Sequence, residues 1–134
     1  MRVVTIDYRN APGLEPPTGL YSHIAQAGDL VFFSGMASLG PDGRIVGKED
    51  FEHQVREVYR QIGKALEGEG LSYSNIAQMT TYLTKEENVP DFYRVRARVF
   101  EELYPDRQYP PNATIICRLA DPDLLIEIQF IAAA

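Results

Sequence analysis

The sequence is poor in cysteine and histidine, and it has no long apolar run. Its one cysteine, Cys117, excludes an intrachain disulfide and suits a reducing compartment, so we expect a cytoplasmic protein. Two histidines, without cysteines or an acidic cluster at ligand spacing, predict no metal site. No stretch approaches the ~20 apolar residues of a membrane helix, and the first residues lack the apolar core of a signal peptide. A soluble protein with no membrane partner is therefore expected.

Basic charge is also scarce. Thirteen Lys and Arg stand against 19 Asp and Glu, which gives a net charge of −6. Nucleic acid is therefore not expected as a partner, because phosphate binding needs a concentrated basic surface. No glycine-rich phosphate loop is present, since Gly40-x-x-Gly43 is typical of a turn, and no organic cofactor is expected. A length of 134 residues predicts a single domain, 1–134.

The first third of the chain predicts short strands separated by turns. The β-branched run 2–6 predicts one strand, and the Pro- and Gly-rich residues 10–20 predict a loop. The apolar run that begins at Leu30 and extends to Leu39 predicts a strand, covered on both faces where the run is continuous. The turn residues 40–43 then predict a hairpin back through 44–46.

Two helices with a strand between them are predicted next. Asp50 is placed as the N-cap of a helix over about 51–67, whose apolar residues recur every three or four positions. Residues 76–83 alternate as a strand does. A second helix is predicted to start near Asn88 and to stop at Tyr104.

The closing stretch is the most apolar part of the chain. Residues 112–119 and 124–132 predict two strands, and the acidic turn 120–123 between them predicts a hairpin. Glu127 stands between isoleucines in the second strand. A carboxylate in that position faces water, pairs with an arginine at an edge or interface, or is held for chemistry, and it is the first candidate for a catalytic residue.

These elements follow the order β-β-β-α-β-α-β-β. That order predicts an α/β fold in the form of an α+β sandwich, with one mixed sheet and both helices packed on one of its faces. The closing strands are more apolar than a sheet with one hydrated face requires. The second face is therefore expected to meet another subunit.

Three stretches resemble the Rid (YjgF) family. They are GLYSHIAQAGDLVFFSGM, EDFEHQVREVYRQIGKALEGEGLSYSNIAQMTTYLT and PPNATIICRLADPDLLIEIQFIA. The resemblance implies a chorismate-mutase-like fold and a homotrimer, built as a β-barrel with the helices outside. It also implies clefts between subunits that take a small-molecule substrate. The family's activity is the hydrolysis of reactive enamines and imines to a 2-oxo acid and ammonia, without a cofactor.

The resemblance assigns four residues to the site by their motifs. Tyr21 matches the tyrosine of a GPYS-like motif, and Ser34 and Gly35 match an SGQ-like motif in which Met36 replaces the glutamine. Glu127 matches the carboxylate of a VEIE-like motif, which the family associates with the water that attacks or protonates the substrate. Each also has an ordinary structural interpretation, such as interface packing for Tyr21 and a turn for Ser34.

Three further residues mark a departure from the deaminase branch. Asn112 stands where that branch has the arginine that grips the substrate carboxylate, and a lost charge-assisted bond costs about 1.5–3 kcal/mol. Arg96 stands where an asparagine is common, and it either binds the substrate carboxylate in place of the missing arginine or makes a surface or interface ion pair. Thr114 falls where some members carry a cysteine, and it lines the cleft or is a plain strand residue.

Three functions are consistent with these residues. The leading hypothesis is an enamine or imine deaminase that uses Glu127 as acid and base, on a substrate other than the usual 2-aminoacrylate type. The alternative is a non-catalytic trimer that binds a small metabolite or acts like a chaperone, which the change at Asn112 favours. A ribonuclease activity, sometimes attached to the family, ranks third because the acidic charge opposes it.

Overall fold

The computed structural model describes residues 1–134, which form one mixed seven-stranded sheet and two α-helices. The strands are β1 (Ile6–Arg9), β2 (Ile24–Ala27), β3 (Leu30–Phe33), β4 (Met36–Ala37), β5 (Ile76–Leu83), β6 (Asn112–Ile116) and β7 (Ile126–Ala133). The helices are α1 (Phe51–Gly68) and α2 (Val89–Leu103). The strand order is β1-β2-β3-β7-β5-β6, and the short β4 also pairs with β7. The predicted mixed sheet with two helices is confirmed.

Helix α1 has the predicted limits to within one residue. The Asp50 side chain accepts a hydrogen bond from the His53 amide at 3.0 Å and so caps the first turn. Just beyond the helix, Gly70 has a φ of +70°, a left-handed conformation that glycine adopts without steric cost. The apolar stripe that predicted the helix is buried, with Val55, Val58, Tyr59, Ile62, Ala65 and Leu66 all facing the core.

Strand β5 and helix α2 also agree with the sequence prediction. β5 occupies the predicted residues 76–83, and Met79, Thr81 and Leu83 are buried on one of its faces. α2 leads from β5 to β6, which runs parallel to β5. A parallel pair needs such a crossover connection, because a tight turn can join only antiparallel neighbours.

The closing stretch does not form the predicted hairpin. β5 lies between β6 and β7 and pairs with both of them, in parallel with β6 and antiparallel with β7. The turn over 120–123 exists, and the Asp121 side chain accepts from the Asp123 amide at 2.9 Å. Turn residues mark where a chain reverses but do not determine which strand becomes its partner. β6 also ends earlier than predicted, at Ile116.

The predicted limits of the first strands are wrong. β1 covers Ile6–Arg9 rather than 2–6, because Ile6–Arg9 is the segment that finds a partner in β2. β2 itself was not predicted, since its sequence Ile-Ala-Gln-Ala has little β-propensity. It joins β3 through Gly28 and Asp29, and the left-handed φ of +60° at Gly28 suits this two-residue hairpin loop.

The predicted strand over 30–39 is interrupted. β3 ends at Phe33, and pairing resumes only at Met36–Ala37. The predicted return strand over 44–46 is reduced to an isolated bridge between Leu39 and Ile45. Residues 34 and 35 therefore lie in the break, where the chain bends away from regular pairing.

The two faces of the sheet differ sharply in burial. Alternate residues of β7, Ile126, Ile128 and Phe130, pack in one core with both helices. The opposite face, here called the open face, exposes apolar side chains such as Phe32 at 39% and Ile115 at 42%. Within one chain the apolar run of β3 is covered on one face only, and its cover on the second face stays a prediction. Neither helix combines the length and apolar composition that a membrane span requires.

Candidate active site

Glu127 lies on the open face of the sheet. In β7 it stands opposite Ala37 of β4 and Tyr82 of β5. Its neighbours Ile126 and Ile128 are fully buried toward the helices. Because successive side chains of a strand point to opposite faces, Glu127 points away from the core. It is nevertheless only partly exposed.

The environment of Glu127 penalises the ionised form of its carboxyl group. Burial raises the pKa of its carboxyl above the ordinary value for glutamate, and no neighbouring cation or hydrogen-bond donor offsets the effect. The edge ion pair considered from the sequence is therefore not formed within the chain. A raised pKa brings a carboxyl group closer to the pH at which general acid–base catalysis is most effective. This is the property that acid–base catalysis needs.

Gly35 makes room for the Glu127 carboxyl. A Cβ atom added at Gly35 would lie 2.7 Å from Oε1 of Glu127 and 2.8 Å from Cδ, closer than real Cβ contacts allow. Glycine is thus the residue that lets the carboxyl rest against the break between β3 and β4. Gly35 of the SGQ-like motif therefore has a physical role here, because its missing side chain leaves room for the Glu127 carboxyl.

Tyr21 and Ser34 line a small cleft at Gly35, here called the Tyr21 cleft, with a volume of about 80 Å³. Gly35 lines it too, together with the buried side chains of His23 and Gln61. The Ser34 amide donates to the His23 carbonyl at 2.9 Å, which fixes the end of β3. Tyr21 is 53% exposed, so its ring is free to meet a ligand or another chain.

Arg96, Asn112 and Thr114 form a second group. All three line one surface pocket, with Arg96 contributed by α2 and the other two by β6. The Asn112 amide donates to Oγ1 of Thr114 at 3.1 Å, and its carbonyl oxygen accepts from Oγ1 of Thr81 at 2.7 Å. The amide of Asn112 is therefore already engaged within the chain. It offers a ligand much less than a free guanidinium would.

Arg96 does not make the surface ion pair that the sequence left open. Its guanidinium carbon lies 4.9 Å from the ring centroid of Phe92 and 5.1 Å from that of Tyr93. These are cation–π distances, which orient the guanidinium without neutralising it. Arg94, two residues earlier in α2, instead forms an ion pair with Glu52 at 3.2 Å.

A large cleft extends from Asn112 along the gap between α2 and β6, here called the α2–β6 cleft. Its volume is about 690 Å³. Its wall includes the side chains of Tyr93, Arg96, Phe100, Arg107, Tyr109 and Asn112. Glu101 is the one carboxylate in its lining.

The predicted site residues fall into two groups on opposite faces of the sheet. Asn112 stands opposite Met79 and Thr114 opposite Thr81, and both partners face the helices. Glu127 shares the other face with Tyr82. The sheet therefore separates Glu127 from Asn112 within one chain, although only a short connection divides their strands. A single site could unite the two groups only across a contact between chains.

Sequence reasoning missed Arg107 and Tyr109, which enter the α2–β6 cleft from the loop after α2. Arg107 has a φ of +60°, a left-handed conformation that is uncommon for a residue with a side chain. Tyr109 stacks on Phe100 with ring centroids 5.8 Å apart. The sequence signal for this cleft was the presence of two arginines and several aromatic residues near the end of α2. Without the fold, nothing showed that they share one cleft.

The family model described as Endoribonuclease L-PSP matches residues 11–134. A RutC family protein of Pyrococcus horikoshii is 33% identical over 123 residues, which are 92% of this chain and 91% of that protein. The chain belongs to the Rid family. The stretches that carried the resemblance in the sequence lie within the matched residues, and the family assignment is confirmed.

Other Rid family members resemble the chain over nearly its whole length. A protein named 3-aminoacrylate deaminase RutC, from Acinetobacter baylyi, is 28% identical over 120 residues, 90% of this chain and 91% of that protein. The crystal structure of TdcF from E. coli with bound serine superposes with a TM-score of 0.82 at 25% identity. That match covers 96% of this chain and 98% of the TdcF chain.

Proposed function

We propose that this Rid family protein is a hydrolytic deaminase of reactive enamines and imines. The observation that carries the proposal is Glu127, a half-buried carboxyl with a raised pKa and no charged partner. The name of the Acinetobacter baylyi relative, a 3-aminoacrylate deaminase, supports the same reaction class. Deamination of reactive intermediates is thus the function that the comparisons favour at a coarse level.

Hydrolysis of an imine requires few catalytic groups. Glu127 as carboxylate takes a proton from water while the water oxygen forms a bond to the imine carbon. As the C=N π bond breaks, Glu127 passes that same proton to the imine nitrogen. The resulting tetrahedral carbinolamine then collapses to a carbonyl compound as the C–N bond breaks and ammonia leaves. Glu127 takes the hydroxyl proton of the carbinolamine as the C=O bond forms and gives it to the leaving nitrogen, so that imine and water become carbonyl compound and ammonia. Tyr21, Ser34 and the backbone at Gly35 would hold the substrate beside it.

The proposal includes a homotrimer, built on a chorismate-mutase-like barrel, with the substrate in clefts between subunits. The separation of Glu127 from Asn112 by the sheet supports it, because a second chain is needed to bring both groups to one substrate. The apolar open face supports it as well, since residues such as Phe32 lack cover in one chain. We further propose a cytoplasmic location, with Cys117 as a free thiol.

Ammonia release tests the proposal. Imines are generated in situ by an amino-acid oxidase, and release is measured with the native chain, Glu127→Gln and the control Glu102→Gln. Glu102 is an exposed carboxylate of α2 outside both clefts. We expect the native chain and Glu102→Gln to accelerate ammonia release, and Glu127→Gln to lose this acceleration. Equal turnover in native and Glu127→Gln protein would refute the catalytic role.

A second candidate is a non-catalytic trimer that binds a small metabolite. The observation that favours it is Asn112, which stands in place of the arginine and is already hydrogen-bonded to Thr81 and Thr114. A native chain inactive on every imine, with activity appearing in Asn112→Arg, would favour this candidate over the deaminase.

A further inference from the structure

We propose that the α2–β6 cleft selects a substrate that carries an aromatic ring and a carboxylate, with Arg96 and Arg107 as the cations that bind the carboxylate. The proposal rests on the proposed deaminase function and names its substrate class, an imine derived from an aryl-bearing amino acid. It concerns the group of residues on the helix side of the sheet, where Asn112 has replaced the arginine of other deaminases.

The size of the cleft favours a large ligand. Its volume of about 690 Å³ lies within the range of ~300–1,000 Å³ typical of pockets for drug-sized molecules. The Tyr21 cleft, at about 80 Å³, has room for little more than the reacting end of a substrate. A small imino acid would leave most of the α2–β6 cleft empty.

The charges of the cleft favour an anion. Arg96 and Arg107 line the cleft, and neither guanidinium takes part in an ion pair within the chain. Glu101 is the one opposing carboxylate in the lining, and it lies outside ion-pair distance of both arginines. In a chain with a net charge of −6, two unpaired guanidinium groups at one cleft are well placed to bind a carboxylate in paired hydrogen bonds.

The aromatic side chains favour a planar apolar group. Tyr93 is 50% exposed and Tyr109 is 56% exposed, and both line the cleft. Tyr109 is held by stacking on Phe100. Tyr93 lies next to the Arg96 guanidinium at 5.1 Å. A ligand ring can therefore stack on a tyrosine while its carboxylate meets the edge of the adjacent guanidinium.

The α2–β6 cleft is continuous with the smaller pocket that contains Thr114. Arg96 and Asn112 line both the α2–β6 cleft and the smaller pocket that contains Thr114. A ligand anchored on Arg96 thus reaches Asn112, whose amide is uncharged and already bonded. We therefore assign the carboxylate to Arg96 and Arg107 rather than to the residue at position 112.

Binding of unreactive acids tests this inference without turnover. Titration calorimetry of the native chain is carried out with 3-phenylpropanoate, propanoate and 3-phenylpropanamide. We expect 3-phenylpropanoate to bind at least about tenfold more tightly than either of the others, because only it satisfies both the cations and the rings. Equal affinity for propanoate or for the amide would overturn the inference.

Two variants and a matched control locate the binding. Arg96→Gln and Arg107→Asn should each weaken 3-phenylpropanoate binding about tenfold and leave the weak binding of the amide unchanged. Asparagine at position 107 tolerates the left-handed backbone. The control Arg98→Gln removes an exposed arginine of the same helix outside the cleft, and it should bind like the native chain. Unchanged affinity in both cleft variants would overturn the proposal.

The outcome separates this inference from the proposed function. Tight binding of 3-phenylpropanoate without ammonia release from any imine refutes the deaminase and supports the binding site. Deamination of small aliphatic imines, with no preference for aryl acids in binding, refutes the substrate class and leaves the deaminase in place.

Discussion

The substitution Gly35→Ala is expected to displace the Glu127 carboxyl without unfolding the chain. The new methyl group would lie 2.7 Å from Oε1 and 2.8 Å from Cδ of Glu127, whereas ordinary contact begins at 3.4 Å. The carboxyl must therefore retreat by about 0.6–0.7 Å, which is the difference between those distances. It is the far end of a flexible side chain, so rotation about its own bonds can supply the movement.

The kinetic effect should be large and the effect on stability small. Misplacing a catalytic group by about 1 Å can cost about 10²-fold in rate, so we expect kcat to fall about ten- to a hundredfold. Rotating the glutamate off its preferred rotamer costs about 0.5–1.5 kcal/mol. Replacing glycine by alanine restricts the unfolded chain and returns about 0.4–1 kcal/mol. The free energy of unfolding should therefore change by less than about 1 kcal/mol.

The assay combines ammonia release with urea unfolding, and Gly68→Ala is the matched control. A Cβ atom at Gly68 would meet its nearest neighbour, Cδ of Pro12, at an ordinary 3.4 Å, far from Glu127. This control should keep full activity. Native kcat in Gly35→Ala would refute the argument that Gly35 positions Glu127, and so would a loss of activity that is explained by unfolding.

Three more expectations follow from the geometry. Because burial raises the pKa of Glu127, its contribution to stability is present below the pKa that it has in the unfolded chain and is lost as pH rises through its pKa in the folded chain. Above that window, urea unfolding should show that the free energy of unfolding of Glu127→Gln rises relative to that of the native chain. Parallel pH curves for the two proteins would contradict this expectation. Gln54→Leu should lower the free energy of unfolding, measured in urea, by about 1–3 kcal/mol, because the buried Gln54 side chain donates to the Gly47 carbonyl and accepts from the Leu125 amide. Replacing the exposed Gln78 by leucine should change this free energy little. Sedimentation of the 15.1 kDa chain should give the mass of a trimer, and a charge at Phe32, Phe32→Asp, should dissociate it; a monomeric native chain would refute the trimer.

The helical half of the fold was predictable because local signals and tertiary contacts agree there. The capping residue Asp50 and the apolar stripe of α1 predicted its limits within one residue, and the alternation in β5 predicted that strand fully. The strand pairing was not predictable in the same way. β2 has weak propensity and owes its conformation to neighbours on both sides, Ile6–Arg9 and Leu30–Phe33.

The candidate site was predictable as a set of residues but not as an arrangement. The motifs identified Glu127 and Gly35, and the structure brings their atoms into contact. The hairpin expected at the end of the chain would have placed Glu127 and Asn112 in adjacent strands. The insertion of β5 between them depends on the crossover through α2, which turn chemistry does not encode. Arg107 lies just outside the closing motif, and only the fold shows that it shares a cleft with Arg96.

The opposite placement of Glu127 and Arg96 across one sheet has a genetic consequence. If each active site takes Glu127 from one chain and Arg96 from another, a substitution in either residue disables a different half of the site. Chains that carry Glu127→Gln, inactive alone, and chains that carry Arg96→Gln, weak in substrate binding, should then form some fully native sites when they are unfolded, mixed and refolded together. The sheet that separates the two residues would thereby make two defective alleles complement one another.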